Sequence, residues 1–94
     1  MVTRPWGFEM VLFNKKGVTF KFLHITSGKK TPSTYHKNKD IAVLAMDSNL
    51  YITCRAGTWQ VDKNQIQQIS PGNLQSLAAV GGDTVVAELS FSKG

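Results

Sequence analysis

Ninety-four residues make one domain, here 1–94, large enough to bury a single core and small enough for a second subunit to add stability. With 41% hydrophobic and 18% charged residues the composition is that of a soluble globular chain, and no apolar run approaches the roughly 20 residues of a membrane span. The net charge of +5 rests on lysines scattered through turns, such as Lys15-Lys16 and Lys29-Lys30, which favours solubility over a nucleic-acid surface. Neither nucleic acid nor membrane is therefore an expected partner. The single cysteine, Cys54, cannot form an internal disulfide and fits a reducing, cytoplasmic setting.

Alternating and β-branched or aromatic stretches predict strands at 8–13, 18–26, 40–46, 49–54, 58–62, 65–69, 73–78 and 83–91. Turn residues separate them, among them Asn14-Lys15-Lys16-Gly17, Ser27-Gly28-Lys29-Lys30, Ala56-Gly57, Ser70-Pro71-Gly72-Asn73 and Gly81-Gly82-Asp83. Short strands at this spacing predict an all-β sandwich or barrel. The one competing helix runs from Asn73 to Val80, with Leu74, Leu77 and Ala78 at helical spacing.

In the strand 18–26, Lys21, Leu23 and Ile25 share one face; Phe20, Phe22 and His24 share the other. A strand apolar on both faces lies between two layers or against a partner subunit, so a homodimer is expected. Lys21 on an apolar side needs a carboxylate partner or an opening to water. His24 reads as a core or interface residue. Trp6 and Trp59 both read as core residues, with stacking on a sugar ring the alternative for Trp6, and Cys54 reads as packed, with a reactive thiol the alternative.

Two runs of residues carry a resemblance. Pro5-Trp6-Gly7-Phe8-Glu9 and Tyr35-His36-Lys37-Asn38-Lys39-Asp40-Ile41 are similar to the opening and first metal motif of the cupin superfamily, in its type II mannose-6-phosphate isomerase branch. Pro71-Gly72 followed by Leu74-Gln75-Ser76-Leu77 resembles the second motif, and Val86-Ala87-Glu88-Leu89-Ser90 the last strand. The resemblance implies a cupin-type β-barrel or jelly-roll, the double-stranded β-helix, over nearly the whole chain.

Metal-binding cupins hold their ion with several His and a Glu. Carried over by position, His36 is the only retained ligand. Asn38 stands where many cupins have a second His, Ile41 where the Glu belongs, and Gln75 where the last His belongs. One imidazole with neutral amides holds a transition metal poorly, so no metal and no other cofactor is expected. Asp40 is one residue from the lost Glu and turns to the opposite face unless a bulge or strand start intervenes. His24 is the other candidate for a missing donor.

The replacements are nonetheless polar. Lys21, Tyr35, His36, Asn38, Lys39, Gln75 and Glu88 form the expected ligand-binding set, either around a pocket or as a hydrogen-bonded remnant of an ancestral site. The positive field of Lys37 and Lys39 around His36 suits an anion. Three functions follow. The first is a metal-poor, non-catalytic domain binding a small polar or anionic, sugar-like ligand. The second is an isomerase- or epimerase-like enzyme, with His36 and Glu88 as candidate acid/base groups. The third is a structural or regulatory dimer module.

Overall fold

The computed structural model describes residues 1–35, 37–69, 72 and 74–92, with Thr34 and Tyr35 described by backbone alone. Among them lie ten strands and no helix: β1 (Val2–Arg4), β2 (Gly7–Lys15), β3 (Val18–Ile25), β4 (Thr34–Tyr35), β5 (Lys39–Ala45), β6 (Leu50–Cys54), β7 (Gly57–Val61), β8 (Ile66–Ile69), β9 (Leu74–Ala79) and β10 (Thr84–Ser92). They form two antiparallel sheets, ordered β1-β2-β3-β10-β5-β8 and β4-β9-β6-β7. The predicted strands are all present, and the helical alternative at 73–80 is overruled by β9. Two short strands escaped the pattern. β1 and β4 have three and two residues, too few to show an alternation.

The core is built from the period of two. Ile25 on β3, Val86 on β10, Val43 and Ala45 on β5 point inward from the larger sheet; Leu50 and Ile52 on β6, Leu77 and Ala79 on β9 meet them from the smaller one. Full burial of a side chain such as Ile25 or Leu50 stabilises the fold by about 1.5–3 kcal/mol. Trp6 is buried and joins this core as expected. Trp59 does not. It sits opposite Ile52 on the edge strand β7, where nothing covers its outer side, and it keeps 36% of its surface exposed while its Nε1 donates to Gln67 Oε1 at 3.3 Å.

Two backbone features position the rest. Gly7 has φ 151°, and a Cβ there would lie 1.8 Å from the His24 carbonyl oxygen, so only glycine lets β2 approach β3 this closely. Trp6, just before it, is anchored by its carbonyl accepting from Thr26 N–H at 2.9 Å. Further along β2 the pairing with β3 slips between Val11 and Phe13, a bulge that leaves Leu12 as the extra residue. Lys16 and Gly17 then take left-handed φ values of 51° and 78° and close the β2–β3 hairpin.

Candidate functional site

Beyond the apolar core, the space between the sheets opens into a cavity of about 350 Å³. Its apolar wall is Trp6, Leu23 and Leu77; its polar wall is Arg4, Glu9, Lys21, Gln75 and Glu88. Strand register explains why these converge. On β10 the inward positions are Thr84, Val86, Glu88 and Ser90, and Glu88 pairs directly with Lys21 on β3. Glu9 pairs with Leu23, so it too faces inward. Gln75 enters from the opposite sheet, two residues before Leu77 on β9.

Lys21 meets both conditions placed on it: its Nζ lies 3.6 Å from Glu9 Oε2 and it borders the cavity. Arg4 Nη2 donates to Glu9 Oε1 at 3.0 Å. Burial pushes the Glu9 carboxyl up, but the Arg4 hydrogen bond and the charges of Lys21 and Arg4 outweigh it and hold Glu9 below its ordinary 4.5. Glu88 goes the other way. Burial raises it above 4.5, and the negative Glu9 adds to the rise, against the opposing pull of Lys21 and Lys39. Two carboxyls in one cavity are thus driven apart in acidity.

Gln75 is 5% exposed and, among the described residues, its buried Oε1 has no hydrogen-bond partner. A buried amide oxygen without a donor costs about 1–3 kcal/mol, so this acceptor invites an incoming N–H or O–H.

Of the residues singled out by sequence, the fold brings Lys21, Gln75 and Glu88 together on the cavity wall. Asn38 and Lys39 are exposed and are not part of that wall, although Lys39 lies near enough to act on the Glu88 charge. β5 begins at Lys39, paired with Ser92 at the last position of β10, and Lys37 and Asn38 precede the strand. His36 lies outside the described residues, as does the side chain of Tyr35. Ile41 points inward and is buried, and Asp40, opposite Phe91, takes the outer face with no bulge to redirect it. His24 is on the outer face as well, stacked on Phe8 with ring centroids 4.7 Å apart and with Nε2 3.0 Å from Asp83 Oδ2.

Among the described residues the donor set does not fit a transition metal, and His36 lies outside them. Among the described residues no three His, Cys, Asp or Glu side chains come together. Glu9 is paired with Arg4 and Lys21, burial disfavours the charge of Glu88, Ile41 offers no lone pair, and Gln75 offers a neutral oxygen. Sequence reasoning missed Arg4 as a wall residue and gave Glu9 no role. The signal was the requirement that Lys21 find a carboxylate, which Glu9 meets from the neighbouring strand.

This arrangement, two antiparallel sheets around a polar cavity, is the cupin jelly-roll. Solved structures bear the likeness out. The Cnp3 cupin domain of Schizosaccharomyces pombe matches with a TM-score of 0.83 at 15% identity, over 90% of this chain and 64% of that one, so the chain spans less than two thirds of its length. KdgF from Halomonas sp. matches with a TM-score of 0.86 at 8% identity, over 100% and 87% of the two chains. A cupin domain of an XRE family transcriptional regulator from Enterobacter cloacae matches with a TM-score of 0.83 at 11% identity, over 93% and 97%. At such identities the shared property is the fold. No protein-family model matches the chain, and no curated protein matches it by sequence. Among the described residues no helix is long and apolar enough to cross a membrane.

Proposed function

We propose that this protein is a metal-poor, non-catalytic cupin domain that binds a small, hydroxyl-bearing, sugar-like ligand in the cavity between its sheets. The observation that carries this reading is the buried Gln75 Oε1, unpartnered among the described residues, on the wall of a cavity whose volume lies in the usual range for small-molecule sites. A ligand hydroxyl supplies the missing donor. Glu9, Glu88 and Lys21 offer further hydrogen bonds, and Trp6 with Leu23 and Leu77 offers apolar contact for the ring. Neutral ligands suit the site better than anions, because Arg4 and Lys21 already face Glu9. A reducing cytoplasm, suggested by the lone Cys54, is part of this reading.

One observation favours a second reading, an isomerase- or epimerase-like enzyme. A Glu88 raised by burial and a Glu9 held low by Arg4 and Lys21, in one cavity, follow the pattern by which an acid and a base are kept distinct. His36 would complete it.

Saturation-transfer NMR against neutral monosaccharides and their phosphates tests both. The neutral sugars are expected to bind in the roughly micromolar-to-millimolar range, and Gln75→Leu to abolish the signal. A panel in which no member contacts the protein, together with a Gln75→Leu variant more stable than the parent, sinks the ligand reading. Deuterium uptake from heavy water into a bound sugar would move the enzyme reading ahead.

A further inference from the structure

Lysine is the commonest charged residue of this chain, and among the described residues every lysine but one is exposed. The exception is Lys21, which keeps 26% of its side-chain surface and lies on the cavity wall. Its cross-strand neighbour is Glu88. Side chains directly opposite each other in an antiparallel pair have Cβ atoms about 4.5–5.5 Å apart. Even so, Lys21 leans the other way, with Nζ 3.6 Å from Glu9 Oε2. Glu88 makes no hydrogen bond or ion pair among the described residues. Lys21 therefore stands between two carboxyls, held by one and short of the other.

An amine in this place has a chemistry that an exposed lysine lacks. It can add to a carbonyl, and an acid beside it can dehydrate the product. The two carboxyls suit different parts of that task. Burial opposes the charge of Glu9, but Arg4 and Lys21 outweigh it, so Glu9 serves as a counter-ion. Burial favours the protonated form of Glu88, so Glu88 serves as the proton donor.

We propose that Lys21 captures aldehydes that carry a neighbouring hydroxyl, as an imine on its Nζ. The Lys21 ammonium first gives a proton to water at the cavity mouth. The free amine forms a C–N bond to the carbonyl carbon, the C=O π pair moves to oxygen, and an amine proton follows it. The carbinolamine then loses its hydroxyl as water, with the proton drawn from Glu88 and the nitrogen lone pair closing the C=N bond. The products are a protonated imine, a Glu88 carboxylate and water, and Glu88 recovers its proton from solvent. Nothing is oxidised or reduced. The nitrogen is positive before and after, so its pairing with Glu9 serves both states.

Gln75 sets the neighbouring hydroxyl. Its buried Oε1 has no partner among the described residues, and an aldehyde oxygen has no proton to offer it. A hydroxyl on the next carbon does. Trp6 and Leu77 give the carbon chain an apolar side. The inference rests on the ligand reading, because it uses the same cavity, and it narrows the ligand to one with a free aldehyde. A methyl glycoside has none and so separates the two.

Reductive trapping tests it. Cyanoborohydride with D-glyceraldehyde turns each imine into a stable secondary amine, which peptide mass mapping places on the chain. Lys21 is expected to be labelled at least about tenfold faster than Lys15 or Lys63, because the acid and the Gln75 acceptor adjoin it alone. D-ribose run beside glyceraldehyde shows whether an open-chain sugar or a shorter hydroxyaldehyde is preferred. Glu88→Gln keeps the shape but has no acidic proton, and should slow Lys21 labelling at least about tenfold. Lys21→Arg keeps a cation beside Glu9 and should remove the fast site altogether. Circular dichroism checks both variants. Labelling of Lys21 no faster than of Lys15 and Lys63 overturns the inference, and so does a Lys21 rate equal in parent and Glu88→Gln. If Glu88→Gln fails to fold, the ratio of Lys21 to Lys63 labelling in the parent decides. Binding of a methyl glycoside without selective trapping at Lys21 overturns the inference and leaves the ligand reading standing. Selective trapping without glycoside binding supports the inference and sinks the neutral-ring reading.

Discussion

Two carboxyl groups, one at each end of the barrel interior, show how differently one fold can treat the same chemistry. At the closed end Asp47 accepts from Thr84 Oγ1 at 2.7 Å, from Asn49 N–H at 2.9 Å and from Val85 N–H at 3.0 Å. Burial opposes its charge, but these hydrogen bonds prevail and hold it below its ordinary 3.8. At the open end Glu88 has Lys21 across the strand pair, yet burial dominates and raises it above 4.5. Asp47 is a structural carboxylate with every oxygen used. Glu88, beside the unpartnered Gln75 oxygen, belongs to a wall with hydrogen-bonding capacity left over.

Breaking the closed end should produce the largest change. Asp47→Ala removes three hydrogen bonds to a charged acceptor and leaves the fully buried Thr84 hydroxyl without its partner. A loss of about 2–4 kcal/mol in urea unfolding at neutral pH is expected. A loss below about 1 kcal/mol would show that water replaces Asp47 easily and would erase the contrast.

The open end should respond with the opposite sign and to pH. A carboxyl raised in the folded state stabilises while protonated; that contribution is complete below the ordinary 4.5 and is lost as pH rises through the folded value. Glu88→Gln, which mimics the protonated form, is therefore expected to stabilise by roughly 1 kcal/mol at neutral pH, with the gain vanishing below pH 4.5. Asp47, lowered in the folded state, contributes above 3.8 and loses this as pH falls through its folded value, so Asp47→Asn should cost most at neutral pH. Parallel rather than diverging pH profiles for the two variants would refute the assignment.

Much of the closed end was legible in the sequence and less of the open end. Period-two alternation in Val18–Ile25 and Ile41–Ala45 gave the strands and their buried faces, because one-sided burial writes itself into every second residue. Gln75 and Ile41 were placed inward through the family resemblance, and both are buried. That Lys21 needs a carboxylate was readable, but that Glu9 supplies it was not, since this depends on which strand neighbours which. The exposure of Trp59 was hidden for the same reason: edge position is a property of sheet order. The bulge at Leu12 left no sequence mark beyond the unbroken apolar run from Met10 to Phe13.

The smallest expected effect lies at the rim of the open end. Arg4 pairs with Glu9 at 3.0 Å, but its side chain is 47% exposed, so water and salt already weaken the pair. Arg4→Gln should cost about 0.5 kcal/mol at neutral pH, and less in concentrated salt. The more telling readout is the titration of Glu9. Burial alone would raise that carboxyl, and the Arg4 hydrogen bond is the largest of the influences that hold it down, with Lys21 at 3.6 Å supplying the next. Removing Arg4 should therefore move the Glu9 carboxyl upward toward 4.5 in an NMR titration while Lys21 retains part of the depression. The stability difference between parent and variant should fade as pH falls through the depressed Glu9 value, because a protonated Glu9 no longer needs the cation. An unmoved Glu9 titration would mean that Lys21, between Glu9 on β2 and Glu88 on β10, fixes its charge without Arg4.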